Sequence, residues 1–147
     1  FGFYALNSLR LEKSFGVWSA EFTQDRTPGM TGMDRWIDFE KPEFIGRAAA
    51  LEEHEKGNPP KRLVTLEIDA DDADASSYEP VWQGDTRVGF STSGGYGHHT
   101  DKSLAMALVD RAVPDDADLS VHVVGRRQGA SILSKPAWDP AGDRMRA

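Results

Sequence analysis

The sequence contains no cysteine, which excludes disulfides, zinc–thiolate sites and cysteine nucleophiles and fits a reducing compartment. We therefore expect a cytoplasmic setting. Positive charge is also in deficit: 17 Lys and Arg against 24 Asp and Glu leave a formal net charge of −7. The broad field repels polyanions, so no nucleic-acid partner is expected. Long apolar runs are missing too, none approaching the roughly 18 residues that span a bilayer. The first residues show no basic stretch followed by an apolar core, so neither a secretory leader nor a membrane partner is expected. The chain opens on Phe1 rather than Met and runs directly into "FGFYALNSLRLEKSF"; we read this as part of a longer polypeptide.

What is present describes a folding chain. It has 147 residues, 39% of them hydrophobic and 28% charged, with four Trp, enough for one ordinary domain, or a small domain with part of another. Leu6 and Leu9 sit at helical spacing, which predicts a helix over 5–9. Thr27, Pro28, Gly29 and Gly32 then cluster as a loop. "RWIDFEK" alternates well enough to predict a short strand ended by Pro42. "EFIGRAAALEEHEKG" sets Phe44, Ile45, Ala48, Ala49 and Leu51 on one side, predicting an amphipathic helix with Gly57 as its stop. From Arg62 the texture changes to period-2 segments, "RLVTLEID", "EPVWQ", "TRVGFST", "SLAMALVD", "LSVHVVG" and "RQGASILSKP". Short strands at that spacing imply a small barrel or sandwich.

The stretch "VGFSTSGGYGHHTDKSLAMALV" is the first candidate for chemistry. A phosphate loop needs a helix after its glycines, and here a strand pattern follows without the Gly-Lys-Ser/Thr signature. His98 and His99 are adjacent, so an extended backbone points their rings to opposite faces, and no metal site is expected. Gly94, Gly95 and Gly97 permit close backbone approach while Tyr96 presents a large amphipathic ring. That suits contact with a flat ligand or a neighbouring domain; a plain turn with an aromatic plug is the alternative. "DADDADASSYE" lacks the glycine and closing Glu of a calcium loop and reads as solvated.

Several stretches together, "LNSLRLEKSFGVW", "TPGMTG", "EFIGRAAAL", "KRLVTLEID", "GDTRVGFSTSGGYGHHTDKSLAMALV", "GRRQGASIL" and a closing "DP", occur in the order found in the C-terminal half of folate-dependent aminomethyltransferases. The chain thus resembles the glycine-cleavage T-protein superfamily, and within it is most similar to the folate-binding part of dimethylglycine and sarcosine dehydrogenases. The resemblance implies an α+β architecture: residues 1–58 form the C-terminal part of a folate-binding α/β domain, and residues 59–147 form a small antiparallel β-barrel. It implies tetrahydrofolate as coenzyme, FAD in an upstream domain outside this chain, and a small methylated amine as substrate. The oxidised N-methyl carbon would be captured on the folate. The catalytic Asp of the family belongs to a preceding half, which makes the missing N-terminal domain the expected partner. No catalytic residue and no metal ligand are expected here, and no flavin fingerprint is present.

Where the motifs match, the resemblance assigns coenzyme contacts. Trp18 takes the place of a Tyr at the folate, where an aromatic ring stacks on the pterin; the alternative is core packing beside Phe15 and Val17. Asp25 takes the place of a Glu that hydrogen-bonds the pteridine, chemistry a carboxylate performs by accepting two N–H bonds; a turn-forming Asp is the alternative. Arg62 matches a basic position near the folate tail, where a guanidinium forks onto a carboxylate, against a solvated strand-start arginine. Tyr96 matches a loop aromatic beside the ligand, which makes the glycine stretch a wall of the site. One departure stands out: the family's "TPLEAGL" reads "TPGMTGM" here, so Met30 replaces an acidic residue and Gly29 a Leu. Two other functions stand beside this one: a folate-dependent demethylase of another methyl donor, such as a sulfonium compound, and, if the altered loop means that folate was lost, a non-catalytic binding or packing module.

Overall fold

In the computed structural model, which describes residues 1–57 and 59–146, the period-2 segments become six antiparallel strands that close into a barrel. They are β1 (Lys61–Ile68), β2 (Pro80–Gln83), β3 (Thr86–Gly97), β4 (Lys102–Asp110), β5 (Leu119–Val123) and β6 (Arg126–Ile132). Their order around the barrel is β1-β4-β3-β2-β5-β6, with β6 pairing back onto β1. Closure leaves no open sheet edge, the usual hazard of a small all-β unit. Alternation builds the interior: Val64, Leu66 and Ile68 of β1 meet Ala105, Ala107 and Val109 of β4 and Leu119, Val121 and Val123 of β5 in one buried cluster. The remaining face of β4 carries Leu104 and Met106, which pack outside the barrel against Leu11. Buried on both faces, β4 reads as a nearly continuous apolar run.

Among the described residues four helical pieces accompany the barrel, α1 (Phe3–Glu12), α2 (Pro28–Thr31), α3 (Arg47–Lys56) and α4 (Asp143–Arg146), with one 3₁₀ turn at Asp34–Trp36. The helix expected at 5–9 is longer at both ends. The strand expected in "RWIDFEK" is absent: Trp36 N–H bonds to the Met33 carbonyl at 3.0 Å and Ile37 N–H to the Asp34 carbonyl at 2.9 Å. The Asp38 carboxylate then takes the Glu40 N–H at 3.0 Å. These local bonds satisfy the backbone without a neighbouring strand. The expected helix in "EFIGRAAALEEHEKG" starts only at Arg47, because Gly46 sits in the left-handed region at φ +85°, and it stops at Gly57 with φ +69°. Its apolar side is not packed away: Ile45, Ala48 and Ala49 are exposed. The 58/59 domain boundary expected from the sequence touches Asn58, which lies outside the described residues.

The glycine stretch is strand rather than loop. β3 runs through Gly94 and Gly95 to Gly97, and the turn of the hairpin is at His98–Asp101. The glycines are required by what presses on them. A Cβ on Gly94 would lie 2.7 Å from the Ala75 carbonyl carbon, one on Gly95 3.1 Å from Asn7 Nδ2, and one on Gly97 2.9 Å from Glu12 Cγ. Two of the three make room for α1. That helix turns polar residues toward the hairpin: Asn7 Nδ2 donates to the Gly94 carbonyl at 3.1 Å, and Ser8 Oγ accepts from His98 N–H at 3.1 Å. The Glu12 carboxylate accepts the N–H groups of His99 at 2.8 Å and Thr100 at 2.9 Å. His98 and His99 are both exposed, and their rings lie edge-on to Tyr96 and Trp138.

A fully buried carboxylate completes the attachment. Glu21, at 0% exposure, accepts Arg10 Nη1 at 3.2 Å and the Val17 N–H at 2.8 Å through Oε2. Through Oε1 it accepts the hydroxyls of Thr92 and Ser93 on β3, each at 2.6 Å. Arg10 is held in turn by Asn7 Oδ1, at 3.0 Å from Nε and 2.7 Å from Nη2. Burial lowers the Arg10 pKa, while the charge of Glu21 and its hydrogen bond oppose that shift.

Two outcomes follow. Glu21→Ala leaves Arg10 buried without its counter-charge and is expected to cost about 3–5 kcal/mol in urea unfolding; a loss under about 1 kcal/mol would mean the ion pair holds nothing together. Gly94→Ala forces a methyl into the Ala75 backbone, which has no rotamer to yield, and is expected to cost about 1–3 kcal/mol in the same assay.

Candidate binding site

The segment between α1 and α2 is shaped by the Glu21 network. The Val17 carbonyl accepts from the N–H groups of Ala20, Glu21 and Phe22 at 3.0–3.2 Å, closing a tight turn whose first N–H is held by the Glu21 side chain. Gly16 is needed there, since a Cβ would come within 2.6 Å of the Phe22 ring. Trp18 rides on the outside of this turn and is 79% exposed. Core packing, the alternative read from its apolar neighbours, is therefore not its role.

Asp25 is exposed in a second turn, closed by the Arg26 N–H on the Thr23 carbonyl at 3.1 Å. The Thr23 hydroxyl donates to its carboxylate. That bond, followed by one from its own backbone N–H, lowers the Asp25 pKa below the ordinary carboxylate value. At neutral pH the group is ionised and purely an acceptor. It is a turn former and an available acceptor at once.

Arg62 is the second residue of β1 and is not simply solvated. Its Nη1 pairs with Asp115 at 2.6 Å and its Nη2 donates to the Val113 carbonyl at 2.8 Å. Its Nε is buried with no acceptor among the described residues. Tyr96 stands near the end of β3, partly exposed, with its hydroxyl 3.5 Å from Asp101 Oδ1.

Two hollows flank the start of β1. One, of about 410 Å³, is enclosed by α2, the 3₁₀ turn, α3 and β1, and is lined by Met30, Ile37, Phe39, His54 and Leu63 among others. Phe39 and His54 stack there with centroids 4.2 Å apart. The "TPGMTG" segment forms its wall: Glu53 accepts the Thr27 hydroxyl at 2.6 Å and the Gly29 N–H at 3.1 Å, and a Cβ on Gly29 would stand 2.6 Å from Glu53 Oε2. A side chain at this position would have to displace the capping carboxylate. The other hollow, about 780 Å³, lies between the C-terminal end of α1, β1 and the segment leaving β6. Arg62 lines both, whereas Trp18, Asp25 and Tyr96 line neither. Neither of these hollows therefore gathers the four sequence-predicted residues. Among the described residues no group of three or more His, Asp or Glu is placed to hold a metal.

Sequence reasoning missed Arg10, Asn7 and Glu21, the residues that set the turn of Trp18. One signal was available: Glu21 is the single acid in the otherwise uncharged run from Ser14 to Gln24, "SFGVWSAEFTQ", and an isolated charge among apolar residues calls for a buried counter-charge.

The architecture and its matches with known proteins converge. Residues 61–139, from the first residue of β1 to the Asp that holds Lys13, match the model of the glycine cleavage T-protein C-terminal barrel domain. Mitochondrial dimethylglycine dehydrogenase of Rattus norvegicus is 38% identical over 138 residues, 92% of this chain but 16% of that protein. An aminomethyltransferase of Parasynechococcus marenigrum is 31% identical, over 93% of this chain and 37% of its own length. The crystal structure of the glycine cleavage system aminomethyltransferase T from Bartonella henselae superposes with a TM-score of 0.81 at 28% identity, covering 92% of this chain and 38% of that one. The chain thus spans well under half the length of these relatives. A closed six-stranded barrel with this strand order, matched over most of its length, carries the conclusion that the chain belongs to the glycine cleavage T-protein C-terminal barrel family.

Proposed function

We propose that this chain is the C-terminal part of a tetrahydrofolate-dependent one-carbon transferase, the aminomethyltransferase portion of an enzyme similar to dimethylglycine and sarcosine dehydrogenases. The observation that carries this reading is the similarity to both relative types along more than nine-tenths of the chain. Residues 1–58 are assigned to the end of the coenzyme-binding domain and 59–147 to the barrel. A cytosolic setting stays part of the proposal on the cysteine-free composition alone.

The residues present fit the coenzyme. Trp18 offers an exposed ring for stacking on a pterin, Asp25 an ionised acceptor for pteridine N–H groups, and Arg62 an orphaned buried donor for a carboxylate; Tyr96 adds an aromatic rim. When bound, the folate supplies the amine that accepts the one-carbon unit. This chain's contribution is orientation: a stacked, hydrogen-bonded ring system held against an incoming carbon gains its rate from proximity. The catalytic acid, the methylated amine and the FAD that oxidises it belong to the preceding part of the parent protein.

That preceding part also fits the outer face of α1. With Asn7, Ser8, Leu11 and Glu12 turned to the barrel, Phe3, Leu6 and Leu9 are left exposed together with Phe1, Tyr4 and Phe15. A patch of this kind marks a packing interface. The same exposure supports a second reading, a non-catalytic packing module, since Trp18, Asp25 and Tyr96 line neither of the two hollows beside β1. The other alternative, a folate-dependent demethylase, differs in having no flavin.

Titration of the full-length parent with tetrahydrofolate, with an absorbance scan for flavin, separates these readings. The dehydrogenase-like reading expects both ligands, the demethylase folate alone, and the packing module neither. In the first two cases Trp18→Ala is expected to weaken folate binding by about tenfold, the loss of one aromatic stack, with unfolding unchanged.

A further inference from the structure

The segment leaving β6 runs from Ser134 to Arg146 without a strand, and its one helix is the four-residue α4. It crosses the end of α1 and walls the larger hollow through Lys135, Pro136, Pro140 and Met145 among others. Behind it lie Leu11, Leu104 and Met106, all buried, with Leu133 and Ala137 packed against them. A wall of this kind is as firm as its fastenings, so where its backbone bonds go decides what it can do.

They go to one place. Leu133, just before the segment, still donates its N–H to the Thr65 carbonyl of β1 at 2.9 Å. Beyond it, among the described residues, one backbone bond joins the segment to the body of the protein: Trp138 N–H to the Glu12 carbonyl at the end of α1, at 3.0 Å. The next residue makes the matching side-chain bond. Lys13 Nζ lies 3.2 Å from Asp139 Oδ2 and donates to the Asp139 carbonyl, with only 9% and 6% of the two side chains exposed. The same ammonium stands 5.5 Å from the centre of the Trp138 ring. Other bonds of the segment are internal: Gly142 N–H to the Asp139 carbonyl at 2.9 Å and Arg144 N–H to Asp139 Oδ1 at 3.3 Å. Pro136 and Pro140 bracket the pair and have no N–H to give. By contrast α1 is tied to the barrel at several points, through Asn7, Ser8, Glu12 and the Arg10–Glu21 pair.

We propose that residues 134–146 are a lid over the larger hollow, hinged at Ser134 and held shut by one latch, Trp138 and Asp139 on Glu12 and Lys13. The lid opens as a unit, because its internal bonds travel with Asp139 and its remaining contacts with the body are apolar. Opening uncovers Met106 and the floor of the hollow and leaves α1 in place. The nearly dry Lys13–Asp139 pair sets how often this happens, since removing one charge leaves the other buried and unanswered. The inference concerns access to the hollow whatever occupies it, and it does not rest on the coenzyme reading.

Native-state amide exchange of the 147-residue chain is expected to show Trp138 opening far more often than Leu133 and the amides of β4. Asp139→Asn, which keeps the side chain's shape and removes its charge, is expected to raise the Trp138 exchange rate by about tenfold or more with β4 unchanged. Because the chain has no cysteine, Met106→Cys places its one thiol under the lid. Labelling of that thiol by dithionitrobenzoate is expected to be slow, and about tenfold faster or more once Asp139→Asn is added. Asp143→Asn, which alters an exposed carboxylate of the lid that pairs with Arg146, is expected to change neither rate. Trp138 exchanging only together with β4, rates indifferent to Asp139→Asn, or an equal response to Asp143→Asn overturns the proposal. Neither readout uses folate, so their failure leaves the coenzyme reading standing, and failure of folate to bind the parent leaves the lid standing.

Discussion

A buried carboxylate holds the two parts of this molecule together. Glu21 sits between the guanidinium of α1 and the hydroxyls of β3, and its contacts come from three stretches of chain: Arg10, Val17, and the adjacent Thr92 and Ser93. A buried ion pair is not a large net source of stability, since desolvation offsets most of its Coulombic gain. Its effect is on specificity: only one placement of α1 satisfies the carboxylate, its arginine and the threonine and serine at once. Once α1 is placed, Glu12 reaches the hairpin turn, Gly95 and Gly97 of β3 face its side chains with no room for a Cβ, and the turn presenting Trp18 is closed.

The consequence for function is geometric. The segment from Val17 to Thr27 carries Trp18 and Asp25 and is held at both ends, by Glu21 on one side and by the Thr27 cap of α2 on the other, where Thr27 Oγ1 accepts the Met30 N–H at 3.3 Å. A segment tethered in this way keeps an aromatic ring and an ionised carboxylate facing outward without their being buried. This is the arrangement expected of one wall of a cavity whose other wall comes from elsewhere in a larger protein. In the proposed reading, the exposed apolar outer face of α1 is the matching contact surface.

The barrel was legible in the sequence because each strand buries one face, and a period of two is hard to mistake over segments such as "RLVTLEID". Gly57 as a helix stop was legible for the same kind of reason, a backbone geometry that one residue type favours. The "RWIDFEK" strand was misread because Trp36, Ile37 and Phe39 are apolar for local reasons: with no partner strand in reach, Asp34 and Asp38 satisfy the backbone in turns. The glycine stretch was misread as loop because its cause is distant; α1 lies about 90 residues earlier (Asn7 bonds to Gly94), and nothing in the local sequence announces it. Glu21 and the larger hollow share that difficulty, being assembled from residues far apart in the chain. The four residues assigned to the coenzyme came from resemblance, and of them only Arg62 borders either of the two hollows beside β1.

If Glu21 makes α1 and the barrel one cooperative unit, amide hydrogen exchange of the intact chain tests it most directly. The account predicts that amides of Leu11 and Glu12 exchange with the same opening free energy as those of β4, through a shared unfolding event. Exchange of α1 at much lower free energy, as an independently fraying helix while β4 stays protected, would contradict it.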